Sequence, residues 1–321
     1  MINEIKRIKK VELHLHLDGS VSPLLASKLS GLSITECIKK MQVDNDNQNL
    51  GEYLTKFDFP ISLMQTEENL EIIAFDLVNR LEKENVIYAE IRFAPYYHLK
   101  NGLNYDEVIN SILKGLKKNK KVKTNLILCM KRELSFDENL EIINLAHKYL
   151  NKGVCAIDLA GDEKRYPLTN YVKLFKIARE KKIPFTIHAG EVQLKDLKTA
   201  IKLGTKRIGH GVKSINDNHL LNLIKEKNIL LEICPTSNIQ TNAFSKYTEH
   251  PIYDFYKNNI NLSIDVDNMT VSNITLSDEY ENILKTFPMS AADLKKININ
   301  SLNYAFLTAK EKIKLLEKIK K

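Results

Sequence analysis

Eight short apolar segments recur along the chain, and most of them are separated by one amphipathic helical pattern such as YVKLFKIAREKK or HLLNLIKEKN. Each segment is bounded by polar or turn residues, as expected for buried strands of a parallel sheet. The segments are VELHLHL from residue 11, VIYAEIRFAP from 86, TNLILCMKR from 124, GVCAIDLAG from 153, IPFTIHAGE from 183, RIGHGV from 207, ILLEICPTSN from 229 and INLSIDVD from 260. Strand and helix alternating in this way predict an α/β fold, a (β/α)8 TIM barrel, with a doubly wound open sheet as the alternative.

The length of 321 residues would suffice for two average domains, but α/β barrels of this size are often single domains. Because composition does not separate two halves, we predict one domain over residues 1–321. The connection between the first two segments is too long for one helix and predicts an insertion at about residues 25–84. Such an insertion lies over the C-terminal face of a barrel, so it is a candidate lid; helices that only pack there are the alternative.

The charge balance excludes little by itself. Lys and Arg number 48 against 40 Asp and Glu, but the lysines lie mainly in helix-like stretches, and no nucleic-acid-binding motif accompanies them. The N-terminus lacks the features of a secretory signal, and no apolar run reaches the ~18 residues of a membrane span. Four scattered cysteines fit reduced core residues. We therefore predict a cytoplasmic protein with no nucleic-acid, membrane or protein partner.

Polar residues concentrate where these segments end. In the first segment Val11, Leu13, Leu15 and Leu17 alternate with Glu12, His14, His16 and Asp18. His188 and Glu191 close the fifth segment, His210 the sixth and Asp267 the eighth. The C-terminal strand ends of a barrel meet at one mouth, which favours a shared site over isolated roles such as a helix N-cap. The other histidines fall in loops or helices and are predicted to be structural: His98, His147, His219 and His250.

Three imidazoles and a carboxylate from this set would form a shell for one Zn²⁺ ion, with a further position for water. Zinc lowers the pKa of such a water from 15.7 toward ~7, so the pattern predicts hydrolysis. Glu191 lies three residues after His188 and suits a general acid or base. His210, between two glycines, could orient the hydroxide.

Six motifs together resemble the adenosine deaminase family of the amidohydrolase superfamily, and they occur in that family's order over nearly the whole chain. They are HLHLDGS (14–20), YAEIRFAP (88–95), DLAGDE (158–163), HAGE (188–191), RIGHGV (207–212) and LEICPTSN (231–238). The resemblance implies hydrolysis of adenosine, and of 2′-deoxyadenosine, to the 6-oxo purine nucleoside and ammonia in purine salvage. The substrate would be a small-molecule purine nucleoside.

The resemblance also implies roles for single residues. The zinc ligands, for one ion per chain, would be His14, His16, His188 and Asp267, and Asp267 would also take a proton from the bound water. Glu191 would protonate purine N1 so that zinc-bound hydroxide adds at C6, and His210 would orient that hydroxide. Substrate contacts would come from the Gly161 N–H at purine N3, Asp18 at the ribose 5′-hydroxyl, His16, and Phe57 and Phe59 as a hydrophobic lid.

One strand end departs from the family pattern, because VDNM (266–269) stands where many members have TDD and then proline. Asp267 keeps the metal position, whereas Asn268 replaces a carboxyl expected to contact purine N7. A carboxamide donates a hydrogen bond at any pH, so this contact to N7 remains chemically feasible. Val266 removes a threonine hydroxyl whose role the residues do not define.

Three alternatives remain open. Relatives that act on free adenine tend to have Glu at the position of Asp18, so Asp18 favours a nucleoside. AMP would need cationic groups for its phosphate; no arginine cluster is evident, although Arg92 and Lys131 lie near the motifs. A noncatalytic nucleoside-binding barrel is the third, and the presence of Glu191 and every metal position weighs against it.

Overall fold

The computed structural model describes residues 2–44 and 50–320, and a strand lies in each of the predicted apolar segments. The α/β class is therefore confirmed. The strands are β1 (Lys10–His16), β2 (Val86–Phe93), β3 (Lys123–Lys131), β4 (Val154–Ala160), β5 (His188–Ala189), β6 (Arg207–His210), β7 (Leu230–Ile233) and β8 (Asn261–Ile264).

Helices occupy the connections. In the described residues they are α1 (Ile2–Arg7), α2 (Pro23–Ser30), α3 (Ile34–Met41), α4 (Leu50–Thr55), α5 (Asp58–Leu63), α6 (Glu67–Lys83), α7 (Tyr105–Lys118), α8 (Phe136–Tyr149), α9 (Val172–Glu180), α10 (Lys195–Leu203), α11 (Asn218–Glu226), α12 (Pro235–Gln240), α13 (Ile252–Lys257), α14 (Leu276–Thr286), α15 (Ala291–Tyr304) and α16 (Ala309–Lys320). Local sequence sets their starts: at α8 the Ser135 hydroxyl accepts from the Glu138 N–H, and the Glu138 carboxylate accepts from the Ser135 N–H.

The strands form two four-stranded parallel sheets, in the orders β1-β2-β3-β4 and β5-β6-β7-β8. Isolated parallel bridges join the sheets at both edges, Ile157 with Phe185 and Leu15 with Asp267. At the second junction the Asp267 N–H donates to the His14 carbonyl at 2.9 Å, and the His16 N–H donates to the Asp267 carbonyl at 2.8 Å. Residues from opposite ends of the chain are therefore adjacent at this junction.

The predicted insertion contains α2 to α6, and its residues 45–49 lie outside the described ranges. Apolar side chains of α2 and α3 are buried in the main hydrophobic core, among them Leu25, Cys37 and Met41. The helices α4 and α5 lie over the carboxyl ends of the strands. All four cysteines are buried and free. Within the described ranges, no helix has both the length and the apolar character needed to cross a membrane. The single-domain assignment and the lid remain predictions.

Candidate active site

A cavity of about 530 Å³ lies between the carboxyl ends of the strands and the helices α4 and α5. Nine predicted site residues line it: His16, Asp18, Phe57, Gly161, His188, Glu191, His210, Asp267 and Asn268. His14 is fully buried beside this cavity, with its ring centroid 4.5 Å from that of His188. The strand ends thus bring together residues that are more than 250 positions apart in the sequence, such as His14 and Asp267.

Four donor atoms converge at the base of the cavity. Oδ1 of Asp267 lies 3.4 Å from Nε2 of His14 and 3.4 Å from Nε2 of His16. Nε2 of His16 lies 3.4 Å from Nε2 of His188. Zinc bonds of about 2.0–2.1 Å in tetrahedral geometry separate the ligand atoms by roughly 3.3 Å. The three measured separations therefore fit a single Zn²⁺-sized ion.

Buried carboxylates orient two of these histidines. Nδ1 of His14 lies 2.8 Å from Oε2 of Glu232, and Nδ1 of His188 lies 2.8 Å from Oδ2 of Asp158. A carboxylate accepts hydrogen bonds, so Nδ1 of His14 carries the proton and its Nε2 presents a lone pair to the cluster; the short contact of His188 Nδ1 with Asp158 favours the same tautomer without hydrogen-bond geometry. Nε2 of His14 is buried and has no hydrogen-bond partner among the described residues, which is the state expected of a metal ligand. The residues present therefore fit a metal ion.

The cluster offers a second possible set of ligands. One ring nitrogen each of His14, His188 and His210 and one oxygen of Asp267 all lie within 4.8 Å of one another. Burial lowers the pKa of His188 to about 4 and that of His16 well below its usual range, so both rings are neutral and can coordinate. Distance alone thus leaves His16 and His210 as competing candidates for one position.

Two site residues adopt left-handed backbone conformations that are uncommon for residues other than glycine. The φ angle is 61° at His210 and 62° at Asp267. At Asp267 this conformation accompanies the backbone bridge to β1, and Oδ2 accepts a hydrogen bond from the Ser237 hydroxyl at 2.6 Å. Backbone strain of this kind is concentrated at functional sites, where the surrounding structure over-determines it.

Glu191 is held from two sides. Its Oε1 accepts a hydrogen bond from the Thr241 hydroxyl at 3.0 Å, and its Oε2 lies 3.7 Å from Nε2 of His210. The backbone around it is fixed by Glu163, which accepts from the N–H groups of Gly190 at 2.6 Å, Glu191 at 3.1 Å and Val192 at 2.9 Å. Glu163 ends the DLAGDE motif, which was the only sequence signal for this contact.

The cavity wall opposite the histidines is polar. Gly161 has a φ of 116°, so a side chain there would be strained, and a Cβ would displace the Glu133 carboxylate, whose Oε2 would lie 2.6 Å away. Tyr97 donates a hydrogen bond to Glu133, and Nζ of Lys131 lies 3.6 Å from Oε1 of Glu133. Lys131 therefore faces the cavity as part of an ion pair. Sequence reasoning did not identify Glu133 or Tyr97.

The other cation considered from the sequence does not reach the cavity. Arg92 is fully buried and donates to Asp158 at 2.8 Å and to Glu232 at 2.9 Å. It stabilises the two carboxylates that orient His14 and His188. Arg92 is therefore committed to the support of the histidine cluster rather than to a substrate phosphate.

Asn268 lies in the wall beside Gly19. Its Nδ2 donates to the Tyr53 hydroxyl at 3.0 Å, and that hydroxyl is 2.7 Å from Oγ of Ser272. A Cβ on Gly19 would lie 1.8 Å from Oδ1 of Asn268, so glycine is needed for this approach. Asp18 is also buried, and burial raises the pKa of its carboxyl to about 6, against the attraction of Lys131.

The two phenylalanines predicted as a lid lie in different places. Phe57, in the turn between α4 and α5, lines the cavity together with Tyr53 of α4 and Ile61 of α5. Phe59 is not among the lining residues; it packs against the hydrophobic core, and Nζ of Lys40 lies 5.5 Å from its ring centroid. The expectation that Phe59 covers a base is thus corrected.

The sequence matches one protein family, and the fold matches that of solved structures. The family model described as adenosine deaminase matches residues 9–321. The adenosine deaminase of Clostridium perfringens (strain SM101 / Type A) is 44% identical over 323 residues, which cover 96% of this chain and 97% of that protein. Two solved structures share the fold at 23% identity: N6-methyl-AMP deaminase from Arabidopsis thaliana (TM-score 0.89, 100% of this chain and 98% of that chain) and adenine deaminase from Arthrobacter aurescens (TM-score 0.88, 98% of each).

Proposed function

The chain belongs to the adenosine deaminase family, whose chemistry is purine deamination, and we propose that it catalyses the zinc-dependent hydrolysis of adenosine and 2′-deoxyadenosine to inosine and 2′-deoxyinosine. Water supplies the 6-oxo group, and the 6-amino group leaves as ammonia. The proposal places this reaction in purine salvage.

The main support for the proposal is that four potential metal-ligand atoms converge beside the Glu191 carboxyl group in one cavity. Nε2 of His16 lies at a ligand-to-ligand distance from both Nε2 of His188 and Oδ1 of Asp267, and His14 adds a buried, unpartnered Nε2. Bound by these four residues, zinc would lower the pKa of a water molecule and so supply hydroxide at neutral pH. Glu191 lines the same cavity.

Three side chains would handle protons and charge. Glu191 would donate a proton to purine N1, which removes electron density from C6 and prepares it for attack. His210, with Nε2 3.7 Å from Glu191, would donate a hydrogen bond to the attacking oxygen as negative charge develops there. Asp267 would accept a proton from the attacking water, since its carboxylate is held in place by Ser237.

Other residues would position the purine and the sugar. The Gly161 N–H would approach N3, where the absence of a side chain permits close contact. Asn268 would donate to N7, and Phe57 would cover one face of the base. Asp18 would accept a hydrogen bond from the ribose 5′-hydroxyl.

The cavity wall supports a nucleoside over a nucleotide. A phosphate would have to approach the carboxylates of Asp18 and Glu133, and of the two lysines that line the cavity, Lys100 and Lys131, the latter already pairs with Glu133 at 3.6 Å. Free adenine would leave this polar wall without a partner. The polar groups at this end of the cavity are therefore best explained by a neutral ribose.

The decisive experiment incubates purified protein with adenosine, 2′-deoxyadenosine, adenine and AMP and follows the ultraviolet change from 6-amino to 6-oxo purine. Each substrate is measured with zinc, after chelation, and after zinc is restored. We expect the two nucleosides to be turned over, with activity lost on chelation and recovered with zinc. Faster turnover of adenine or AMP would refute the nucleoside assignment, and unchanged activity in the chelated protein would refute the metal requirement.

A further inference from the structure

A line of three buried polar side chains runs from the protein interior to the cavity. His250, just before α13, contacts Asn238 in α12, and Asn238 contacts His210 at the end of β6. The exposed fractions are 2%, 0% and 1%. Because none of these groups exchanges hydrogen bonds freely with water, each contact must have a defined donor and acceptor.

The direction in which hydrogen bonds are donated along this line is set at His250, its end in the protein interior. The backbone N–H of Ile252 donates to Nδ1 of His250 at 3.2 Å. A backbone nitrogen only donates, so Nδ1 of His250 holds a lone pair and the proton of the neutral ring is on Nε2. Burial lowers the pKa of His250 to about 3, which keeps this ring neutral.

The next two contacts follow from the first. Nε2–H of His250 requires an acceptor, and Oδ1 of Asn238 lies 3.2 Å away. This orientation turns Nδ2 of the Asn238 carboxamide toward His210, where it donates to Nδ1 at 3.1 Å. Nδ1 of His210 is therefore an acceptor, and the proton of its neutral ring lies on Nε2, which faces Glu191 in the cavity.

This arrangement separates His210 from the histidines with carboxylate partners. His14 and His188 have Glu232 and Asp158 at Nδ1, which leaves a lone pair on Nε2. His210 has a carboxamide donor at the same position and thus presents N–H to the cavity. An N–H group cannot coordinate a metal, so the partner at Nδ1 distinguishes metal ligands from hydrogen-bond donors in this cluster.

We propose that His250 and Asn238 are positioning residues that hold His210 as the Nε2–H tautomer, so that His210 donates a hydrogen bond into the cavity and leaves the fourth metal position to His16. The consequence for the reaction rests on the proposed deaminase function, whereas the tautomer itself does not. The line also explains His250, which the sequence indicated only as a structural histidine.

The test reads the tautomer directly. Protein labelled with ¹⁵N-histidine is examined by long-range ¹H–¹⁵N NMR, metal-free and loaded with one equivalent of zinc, and His210 is assigned from a His210→Gln variant. We expect protonated Nε2 and unprotonated Nδ1 in both states. A proton on Nδ1, or a metal-shifted Nε2 resonance in the loaded protein, would overturn the proposal.

Two variants probe the line. Asn238→Asp replaces the donating amide by a carboxylate, which should move the His210 proton from Nε2 to Nδ1. His250→Gln retains one donor and one acceptor and should keep the Nε2–H tautomer, whereas His250→Leu should not keep the Asn238 amide oriented. An unchanged His210 spectrum in Asn238→Asp would refute the inferred role of Asn238.

Kinetics separate positioning from general damage. Loss of the oriented donor in Asn238→Asp should reduce kcat by about 10²-fold with a much smaller change in KM. Phe244→Leu, which alters a ring packed at 5.4 Å from His250 outside the polar line, is the matched control and should leave kcat unchanged. Equal losses of kcat in Asn238→Asp and Phe244→Leu would show that disturbed packing, and not the loss of the oriented donor, slows the reaction. If the Nε2–H tautomer is found but no purine is deaminated, the proposed function is refuted and the inference about His210 stands. If adenosine is deaminated but His210 is the Nδ1–H tautomer, only the inference about His210 is refuted.

Discussion

The Thr241 hydroxyl donates a hydrogen bond to Oε1 of Glu191 at 3.0 Å. This bond occupies one carboxyl oxygen and leaves Oε2, on the side of His210, to hold the proton that the purine would receive. The general-acid role of Glu191 therefore requires that Oε1 accepts from Thr241 while Oε2 carries the proton.

Glu191→Gln should retain zinc and slow turnover by roughly 10² to 10⁴, because the amide keeps the shape of the side chain but cannot deliver an acidic proton. Thr241→Val, which removes only the orienting hydroxyl, should have a smaller effect. Steady-state kinetics with adenosine and elemental analysis of the same samples check both. Full activity of Glu191→Gln would refute the proton-donor role.

His188→Ala should lose zinc and activity together, because it removes one of four converging donors and leaves the Asp158 carboxylate buried without its histidine partner. The matched control is His147→Ala in the exposed part of α8, which should keep one zinc per chain. Elemental analysis after gel filtration measures the occupancy. Full occupancy in His188→Ala would remove this residue from the ligand set.

The donor cluster was predictable because its residues lie at the ends of apolar segments. Strands of a parallel sheet all end on one side, so His16, His188 and Asp267 had to be near one another once the alternation was recognised. The distances, and the competition between His16 and His210, were not predictable, because they depend on side-chain rotamers and on partners in other strands.

Those partners explain most of what the sequence left undefined. Glu232 meets His14 across 218 sequence positions, and neither residue type nor spacing distinguishes it from any other strand carboxylate. From the sequence Arg92 was a possible contact for a phosphate. Only the direction of its side chain from β2 shows that it pairs with buried carboxylates instead. Phe59 was grouped with Phe57 because both stand in one aromatic run, and the spacing did not show that Phe57 lines the cavity while Phe59 packs against the core.

Adenosine should be deaminated faster than its 7-deaza analogue, by about tenfold or more in kcat/KM, if Asn268 donates to N7. A hydrogen bond lost in a buried site costs about 1 to 3 kcal/mol. The Nδ2 group has two hydrogens, and Tyr53 accepts one of them. In Asn268→Ala the ratio of the two rates should fall toward one. Equal rates in the unmodified protein would dismiss the N7 contact.

The pH dependence of stability should reveal the buried carboxyl of Glu279, which accepts from the Tyr247 hydroxyl at 2.5 Å and the Thr236 N–H at 3.3 Å. Burial raises the pKa of Glu279 from 4.5 to about 7. The folded chain therefore keeps this proton at pH values where the unfolded chain has lost it. The resulting stabilisation is complete below about pH 4.5 and is lost as the pH rises through about 7.

Relative to Glu279→Gln, the free energy of unfolding of the unmodified protein should accordingly fall between pH 5 and pH 8, by on the order of 1 to 3 kcal/mol. Urea unfolding at several pH values measures the difference, in which contributions common to both proteins cancel. Tyr247→Phe removes a hydrogen bond that favours the carboxylate, so in that variant the fall should continue to higher pH. Parallel stability curves for the unmodified protein and Glu279→Gln would contradict the prediction.

Glu163→Gln should loosen the backbone that carries Glu191 without removing the metal. The carboxyl group of Glu163 accepts from four consecutive N–H groups, those of Gly190, Glu191, Val192 and Gln193. Glutamine offers one acceptor oxygen and turns an NH₂ group toward the remaining donors, so at least one backbone N–H loses its partner. Displacing a catalytic group by about 1 Å can cost 10²-fold in rate, and we expect kcat to fall by about tenfold or more while zinc content stays at one per chain.

Amide hydrogen exchange over residues 190–193 distinguishes this loosening from a change in proton transfer, because only the former accelerates exchange. Asp162→Asn is the matched control: its Oδ1 accepts only from the nearby N–H groups of Lys164 and Arg165, so exchange at 190–193 and kcat should both be unchanged. If Glu163→Gln slows turnover while exchange in this segment stays at the level of the unmodified protein, Glu163 does not act through the Glu191 backbone, and its hydrogen bonds to this segment contribute to folding alone.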